Sequence, residues 1–253
     1  MAPLPLSVCI ISFNESANIG RCLESVWEIA SEIVVVDSHS TDDTVAIAES
    51  FGAVVYREKW MGHVAQKNSA LKKCTQPWIL SLDCDEEVSD ELKNNLAEAL
   101  KSEEHTGYSI NRRTYCFGKW IRYSCYPDWN TRLSRKDTAI WEGHDPHDML
   151  KVSGKTGRMR GDILHYSYKN LEDYYSKTVA YAVIGAESYI KTGRKGGLLK
   201  LIFNPIAGFL KHYFLKLGFL DGVQGLILAT GNFYYTFLKY SIIWERKNKA
   251  AEK

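Results

Sequence analysis

The chain has 253 residues, 45% of them hydrophobic and 25% charged, enough to bury a core in one large domain or in one domain with a helical appendage. A formal net charge of +2, with no arginine-rich stretch, argues against nucleic acid as the partner. Six cysteines without CxxC or Cys/His zinc spacing read as reduced thiols in a cytosolic protein, and the N-terminal run lacks the basic start and cleavage site of a signal peptide.

In chain order, "LSVCIIS" (6–12) is a continuous apolar run that predicts a strand buried on both faces. Ile19, Leu23, Val26, Trp27 and Ile29 then recur at helical spacing and predict a helix over 16–30. Strands are expected at 32–38, 52–58 and 77–83, and helices at 41–48, 62–74 and 89–100, the last capped by Ser89. Strand alternating with helix predicts an α/β fold with an open, mostly parallel sheet flanked by helices. Such sheets bind ligands at the carboxyl ends of their strands, where Asn14, Glu15, Asp37, Asp83 and Asp85 fall. Residues 107–168 break into short strand-like pieces joined by Gly, Pro and Asp turns, expected to extend or cover the sheet. Beyond about residue 170 the pattern is helical and increasingly apolar. The expected organisation is therefore a domain over 1–170 and a helical C-terminal region over 171–253.

The segment "ILSLDCDEEVSD" (79–90) places Asp83, Asp85, Glu86, Glu87 and Asp90 directly after a buried strand. It reads either as a solvated loop favouring the next helix or as an Asp-x-Asp pair for Mg2+ or Mn2+ against phosphate. Alternate residues of an extended segment face the same side, so Asp83 and Asp85 can approach one cation. The glycine and spacing of a calcium-binding EF-hand loop are missing.

Four stretches, "SVCIISFNES", "IVVVDSHSTDDT", "GHVAQKNSAL" and "WILSLDCDEEV", occur in an order and spacing that resembles the inverting glycosyltransferases of family 2, which have the GT-A fold. Further on, "YPDWNTRLSRK", "WEGHDPHDML" and "ILHYSYKNLEDYYSK" resemble the subgroup that includes lipopolysaccharide inner-core glucosyltransferases acting on heptose. The resemblance implies that Asn14, Glu15 and Asp37 line a uridine pocket, although Ser38 stands where the family often has a second acid. It implies that Gln66, Lys67 and Asn68 lie on a nucleotide-side helix, with Lys67 near the diphosphate. Asp85 would bind the metal, with His165 as a late histidine ligand and Asp83 close to the ribose or joined to the ion through water. Asp148 matches the position of the general base, and Asp145 is its rival because "HDPHD" offers two acids three residues apart. Asp128 and Arg132 would shape the acceptor or donor-sugar side, or form an internal ion pair.

In the C-terminal region the longest uncharged stretch, Gly222 to Leu238, has 17 residues and three glycines, which is marginal for a membrane span of about 20 apolar residues. Recurrent basic residues (Arg194, Lys195, Lys200, Lys211, Lys216, Lys239) among Phe, Tyr and Leu instead predict an amphipathic surface lying on an anionic membrane. A helical layer packed on the core or against a second subunit is the alternative, which leaves a homo-oligomer open. The expectation is a cytoplasmic, peripheral membrane enzyme that transfers glucose or another hexose from a UDP-sugar, with Mg2+ or Mn2+, to a core heptose or similar lipid-linked saccharide. A polyprenyl phosphate, capsule or protein acceptor, or a non-catalytic sugar-binding module, are the competing readings. A nucleotidyltransferase would need a glycine-rich phosphate loop, and none is found.

Overall fold

The computed structural model describes residues 3–144, 147–193 and 196–251. They form two compact units: one of residues 3–113 and 128–166, the other of 114–127 and 167–251, within those described spans.

The first unit opens with β1 (Leu4–Ser12), α1 (Ile19–Glu24), β2 (Ala30–Asp37), α2 (Thr44–Ser50), β3 (Val54–Arg57), α3 (His63–Lys73) and β4 (Trp78–Asp83). These four strands lie in the order β3-β2-β1-β4 and pair in parallel. Beyond β4 come β5 (Glu86–Val88), α4 (Asp90–Ala99), β6 (Gly107–Cys116), β8 (Trp129–Arg135) and β11 (Thr156–Tyr166). They continue the sheet as β4-β8-β6-β11-β5, with β8 antiparallel to both β4 and β6 and β11 antiparallel to β5. A separate hairpin of β9 (Ala139–His144) and β10 (His147–Val152) completes the unit. The α/β expectation holds, and the second half supplies an antiparallel extension.

Alternation along β1 sorts two cores. Leu6, Val8 and Ile10 face a cluster with Cys22 and Leu23 of α1, Ala48 of α2, and Leu92 and Leu96 of α4. Cys9 faces the opposite side, where Ala70 and Leu71 of α3 pack with Trp141 of β9 and Leu150 of β10. The hairpin thus covers the α3 face of the sheet.

The helix expected over 16–30 runs only from Ile19 to Glu24, and Trp27 is 50% exposed. Ser25 stops it: its hydroxyl donates back to the Cys22 carbonyl at 2.7 Å and accepts from the Val88 amide at 3.0 Å, a competing bond that serines favour. Ser89 caps α4 as expected, accepting from the Leu92 amide at 3.4 Å.

The second unit contains β7 (Lys119–Trp120), α5 (Leu171–Lys191), α6 (Leu198–Leu210), a π-helical turn (Lys211–Leu215), a 3-10 turn (Gly218–Asp221) and α7 (Val223–Ala251). Within it the last residues of β6 pair with β7. Cys116, Ile121, Tyr174 and Leu228 form its core. Among the described residues, no helix is long and apolar enough to cross a membrane.

Gly161 in β11 has φ +92°, and a Cβ there would stand 2.4 Å from the Leu92 amide nitrogen of α4. Gly161→Ala therefore combines left-handed strain with a clash against backbone. It is expected to cost about 2 kcal/mol or more of stability, read by urea unfolding.

Candidate active site

Ser12 stands in register with Asp37, and Ile11 with Asp83, so the carboxyl ends of β2, β1 and β4 lie side by side. At the first junction, Asp37 is fully buried and accepts from the Ser12 hydroxyl at 2.9 Å and from the Ser40 amide at 2.8 Å and hydroxyl at 2.5 Å. Asn14 sits at φ 53° in the left-handed region, donates its amide to Ser40 Oγ at 2.8 Å and accepts from the Thr41 amide at 2.9 Å. The Glu15 amide donates to Thr44 Oγ1 at 2.8 Å, and the Glu15 carboxylate accepts from Asn18 at 2.6 Å. Asn14, Glu15 and Asp37 thus belong to one pair of interlocked turns, with Asp37 tying the two strand ends together.

At the second junction a chain of alternating charges runs through the unit. Asp128 meets Arg112 at 2.9 Å, and Arg112 approaches Glu86 at 3.8 Å. Glu86 meets Arg132 at 2.9 Å, Arg132 meets Asp83 Oδ2 at 3.1 Å, Asp83 Oδ1 meets Lys67 at 3.0 Å, and Lys67 meets Asp148 Oδ2 at 2.8 Å. Arg132 is 5% exposed and Glu86 fully buried. Burial favours a neutral Asp83, but Lys67 and Arg132 outweigh it and hold the carboxyl well below its ordinary range. Burial likewise opposes the charges on Lys67 and Arg132, and their acidic neighbours overcome it, so both pKa values lie above the ordinary ones. The Trp141 ring lies under both cations, 4.4 Å from Lys67 Nζ and 5.7 Å from the Arg132 guanidinium carbon.

Asp85, two residues past Asp83, takes a different partner: its Oδ2 lies 3.3 Å from His165 Nε2. The local reason is the pairing of β5 with β11, which sets His165 opposite Glu86, while the Tyr166 amide donates to the Asp85 carbonyl at 2.9 Å. Glu87 accepts from the Tyr166 hydroxyl at 3.1 Å. Among the described residues no group of three or more His, Cys, Asp or Glu side chains gathers into a metal centre by itself. An adjacent carboxylate oxygen and imidazole nitrogen nonetheless fit a divalent ion that takes its remaining ligands from phosphate and water.

The structure therefore brings Lys67, Asp83, Arg132 and Asp148 together, sets Asp85 against His165, and links Asp128 to the first group through Arg112 and Glu86. Asp128 pairs with Arg112, so the ion pair considered between Asp128 and Arg132 does not form. Asn68 binds the Trp141 backbone at both ends of its amide, 2.8 and 2.9 Å, and so seats β9 on α3. Gln66 is fully buried, and neither atom of its amide has a partner among the described residues. Asp145, the rival base, lies outside the described residues. Glu86 and Arg112 are the residues the sequence reading missed. In sequence Glu86 reads as one more loop acid, and the available signal is its place between Cys84 and Val88, which β5 turns inward.

Removing Arg132 leaves Asp83 and Glu86 facing each other in a poorly solvated site. Arg132→Met is expected to lose about 3–5 kcal/mol in urea unfolding at neutral pH. Asp83 contributes stability above its unfolded pKa, and that contribution disappears as pH falls through its depressed folded value. The stability gap between wild type and Asp83→Asn should therefore be largest at neutral pH and shrink below about pH 4; a gap independent of pH would contradict the ion pairing.

Three comparisons bear on these residues. The family model described as Glycosyl transferase family 2 matches residues 7–154. The lipopolysaccharide core biosynthesis glycosyltransferase LpsC of Rhizobium meliloti (strain 1021) is 34% identical over 96% of this chain and 93% of its own. An uncharacterized glycosyltransferase of Rickettsia conorii is 30% identical over 97% and 92%. Among solved structures, the mannosyltransferase PcManGT of Pyrobaculum calidifontis, in complex with GDP-Man and Mn2+, shares the fold with a TM-score of 0.53 at 16% identity, covering 100% of this chain and 90% of that one. A match across more than half the chain, together with relatives alike over nearly its whole length, places this protein in glycosyl transferase family 2.

Proposed function

We propose that the protein is an inverting hexosyltransferase that moves glucose from UDP-glucose to a heptose of the lipopolysaccharide core or a similar lipid-linked saccharide. The observation that carries the reading is the single ammonium of Lys67 gripped by both Asp83 and Asp148. It sets a carboxylate from the covering hairpin beside the acids that end the fourth strand. The likeness to LpsC over nearly the whole chain supports a core acceptor; glucose and UDP rest on the sequence resemblance.

In this reading an acceptor hydroxyl attacks the anomeric carbon from the face opposite the nucleotide. The new O–C bond forms as the bond from that carbon to the diphosphate oxygen breaks, and the electron pair leaves with the diphosphate. Asp148 takes the hydroxyl proton. Its Oδ2 is fixed by Lys67, and Oδ1 has no partner among the described residues, so one oxygen orients the group and the other receives the proton. A single displacement inverts the anomeric configuration. Asp85 and His165 would hold Mg2+ or Mn2+, with Asp83 close to the ribose or to the ion, and the ion would supply Lewis-acid neutralisation of the leaving diphosphate. Asn14, Glu15 and Asp37 fix the turns that receive the nucleoside.

Asp148→Asn should lower turnover about 10²–10⁴-fold while calorimetry finds the UDP-sugar bound as in wild type. Asp85→Ala, or EDTA, should weaken that binding itself. Near-normal turnover in Asp148→Asn would remove it as the base and favour a phosphate acceptor, which needs no deprotonation.

We further propose that α6 and the turns after it rest on the inner face of the cytoplasmic membrane. Leu199 (71% exposed), Phe203 (60%) and Leu215 (81%) face outward, and exposed Lys200, Lys211 and Lys216 alternate with them. Apolar area for the acyl boundary and lysines for anionic headgroups are the pairing an interfacial surface needs. The protein is expected to float with phosphatidylglycerol vesicles and Leu199→Glu/Phe203→Glu to stay behind. A wild type that remains unbound but sediments as a dimer, with the double variant monomeric, would assign this face to a second copy.

A further inference from the structure

The second unit carries a cavity that the chemistry above does not use. Its framework is the hairpin of β6 and β7, in which Tyr115 pairs with Trp120 and Cys116 with Lys119. The two-residue turn, Phe117 (φ 52°) and Gly118 (φ 81°), has both residues left-handed, the conformation that matches the twist of a tight hairpin. Phenylalanine pays a steric penalty there, which its surroundings offset: its ring meets those of Tyr168 and Tyr174, and Gln224 donates to its carbonyl at 3.1 Å. The hairpin is thus held in place.

The loop after it is fixed by one buried acid. Asp221, 1% exposed, accepts from the amides of Arg122 (2.8 Å), Tyr123 (3.2 Å) and Ser124 (2.9 Å) and from the Ser124 hydroxyl (3.0 Å). Lys119 Nζ reaches the Asp221 backbone carbonyl at 3.1 Å. Between hairpin and loop lies a cavity of about 500 Å³, walled by Tyr115, Lys119, Trp120, Arg122, Tyr123 and Leu220, within the roughly 300–1,000 Å³ of small-molecule sites. The Tyr115 and Trp120 rings meet edge to face at 5.0 Å, and Tyr123 is 37% exposed.

The charge balance gives the cavity a sign. The Asp221 carboxylate is occupied by four uncharged donors, and Lys119 is held on the backbone carbonyl of the same residue. The Arg122 guanidinium is exposed and makes no ion pair or hydrogen bond among the described residues. Aromatic walls suit the apolar C–H faces of a pyranose ring, and a free planar guanidinium suits the two oxygens of a phosphate or carboxylate. We propose that this cavity binds an anionic saccharide, a sugar bearing phosphate or carboxylate. The choice of a core saccharide as its source rests on the core-saccharide reading of the acceptor.

The test measures binding directly, with the full-length protein and an acidic core oligosaccharide released from lipopolysaccharide by mild acid. Calorimetry should give a dissociation constant about ten-fold or more weaker for Arg122→Ala, the scale of one charge-assisted hydrogen bond. Arg122→Lys should recover part of the loss, and Tyr123→Ala should weaken binding without touching a charge. The melting temperature of each variant reports folding. Wild-type binding that Arg122→Ala and Tyr123→Ala leave unchanged overturns the subsite while the core acceptor stands. If wild type does not bind the oligosaccharide, the acceptor reading fails, and saturation-transfer NMR with mannose 6-phosphate and glucuronic acid decides the cavity. Signals lost in Arg122→Ala support it, and signals absent or unchanged overturn it. Loss of phosphatidylglycerol-vesicle flotation in Arg122→Ala with saccharide binding intact makes the cavity a lipid headgroup site and also overturns it.

Discussion

Arg132 enters the interior of the first unit from β8 and is almost wholly removed from water, an arrangement tolerable only because Asp83 and Glu86 meet the same terminal nitrogen at 3.1 and 2.9 Å. The two acids come from β4 and β5, on either side of the turn that carries Asp85. One guanidinium therefore fixes the shape of that turn. Asp85 and His165 can face each other only if β4 ends, turns and re-enters as β5 in the observed way, and the ion pairs hold it there. Without that cation the buried Glu86 would keep only Arg112, at 3.8 Å, as a counter-charge, and the hold of β5 on β11 would weaken.

The consequence reaches beyond the turn because the charges alternate in an unbroken series. Asp83, held ionised between two cations, fixes Lys67, and Lys67 orients Asp148 on the covering hairpin. The hairpin is seated independently by Trp141 and Leu150 in the α3-side core and by the amide of Asn68. Packing sets its position to within a side chain's reach, and the ion pair sets the carboxylate within that range. On the proposal that Asp148 is the base, this places it before the substrate arrives, which avoids a reorganisation during the reaction that would raise the barrier. The acids that crowd together in the sequence are thus distributed among separate partners: Asp83 to Lys67 and Arg132, Asp85 to His165, Glu86 to both arginines, and Glu87 to Tyr166.

How much of this was legible follows from range. The parallel strands were readable because a strand buried on both faces is a local run, and β1, β2 and β4 are such runs. The cap of α4 was readable because serine, acids and apolar spacing are adjacent in sequence. Ser25 hid the early end of α1, since its hydroxyl takes a bond from Val88, 63 residues away. The β9–β10 hairpin was missed because its alternation is weak until Trp141 and Leu150 are known to share one core. Pairings between distant charges were the least legible. Asp128 and Arg132 stand close in sequence, yet each found its partner across the sheet, because strand register decides which charges meet.

The two units treat charge differently, and the contrast separates scaffold from contact surface. In the first, every cation of the series is satisfied by carboxylates, so its field is largely internal and fixes geometry. In the second, the one deeply buried acid among the described residues, Asp221, is satisfied chiefly by backbone amides, which carry no net charge. Holding a loop with neutral donors leaves the loop's own cation uncommitted. Had Arg122 formed the ion pair with Asp221 that their adjacency allows, the same loop would be equally fixed but electrostatically closed. The backbone takes the acid instead, and the guanidinium is left facing water at the mouth of an aromatic cavity. There the desolvation cost of binding an anion is lower than in the interior, and the attraction is not already satisfied.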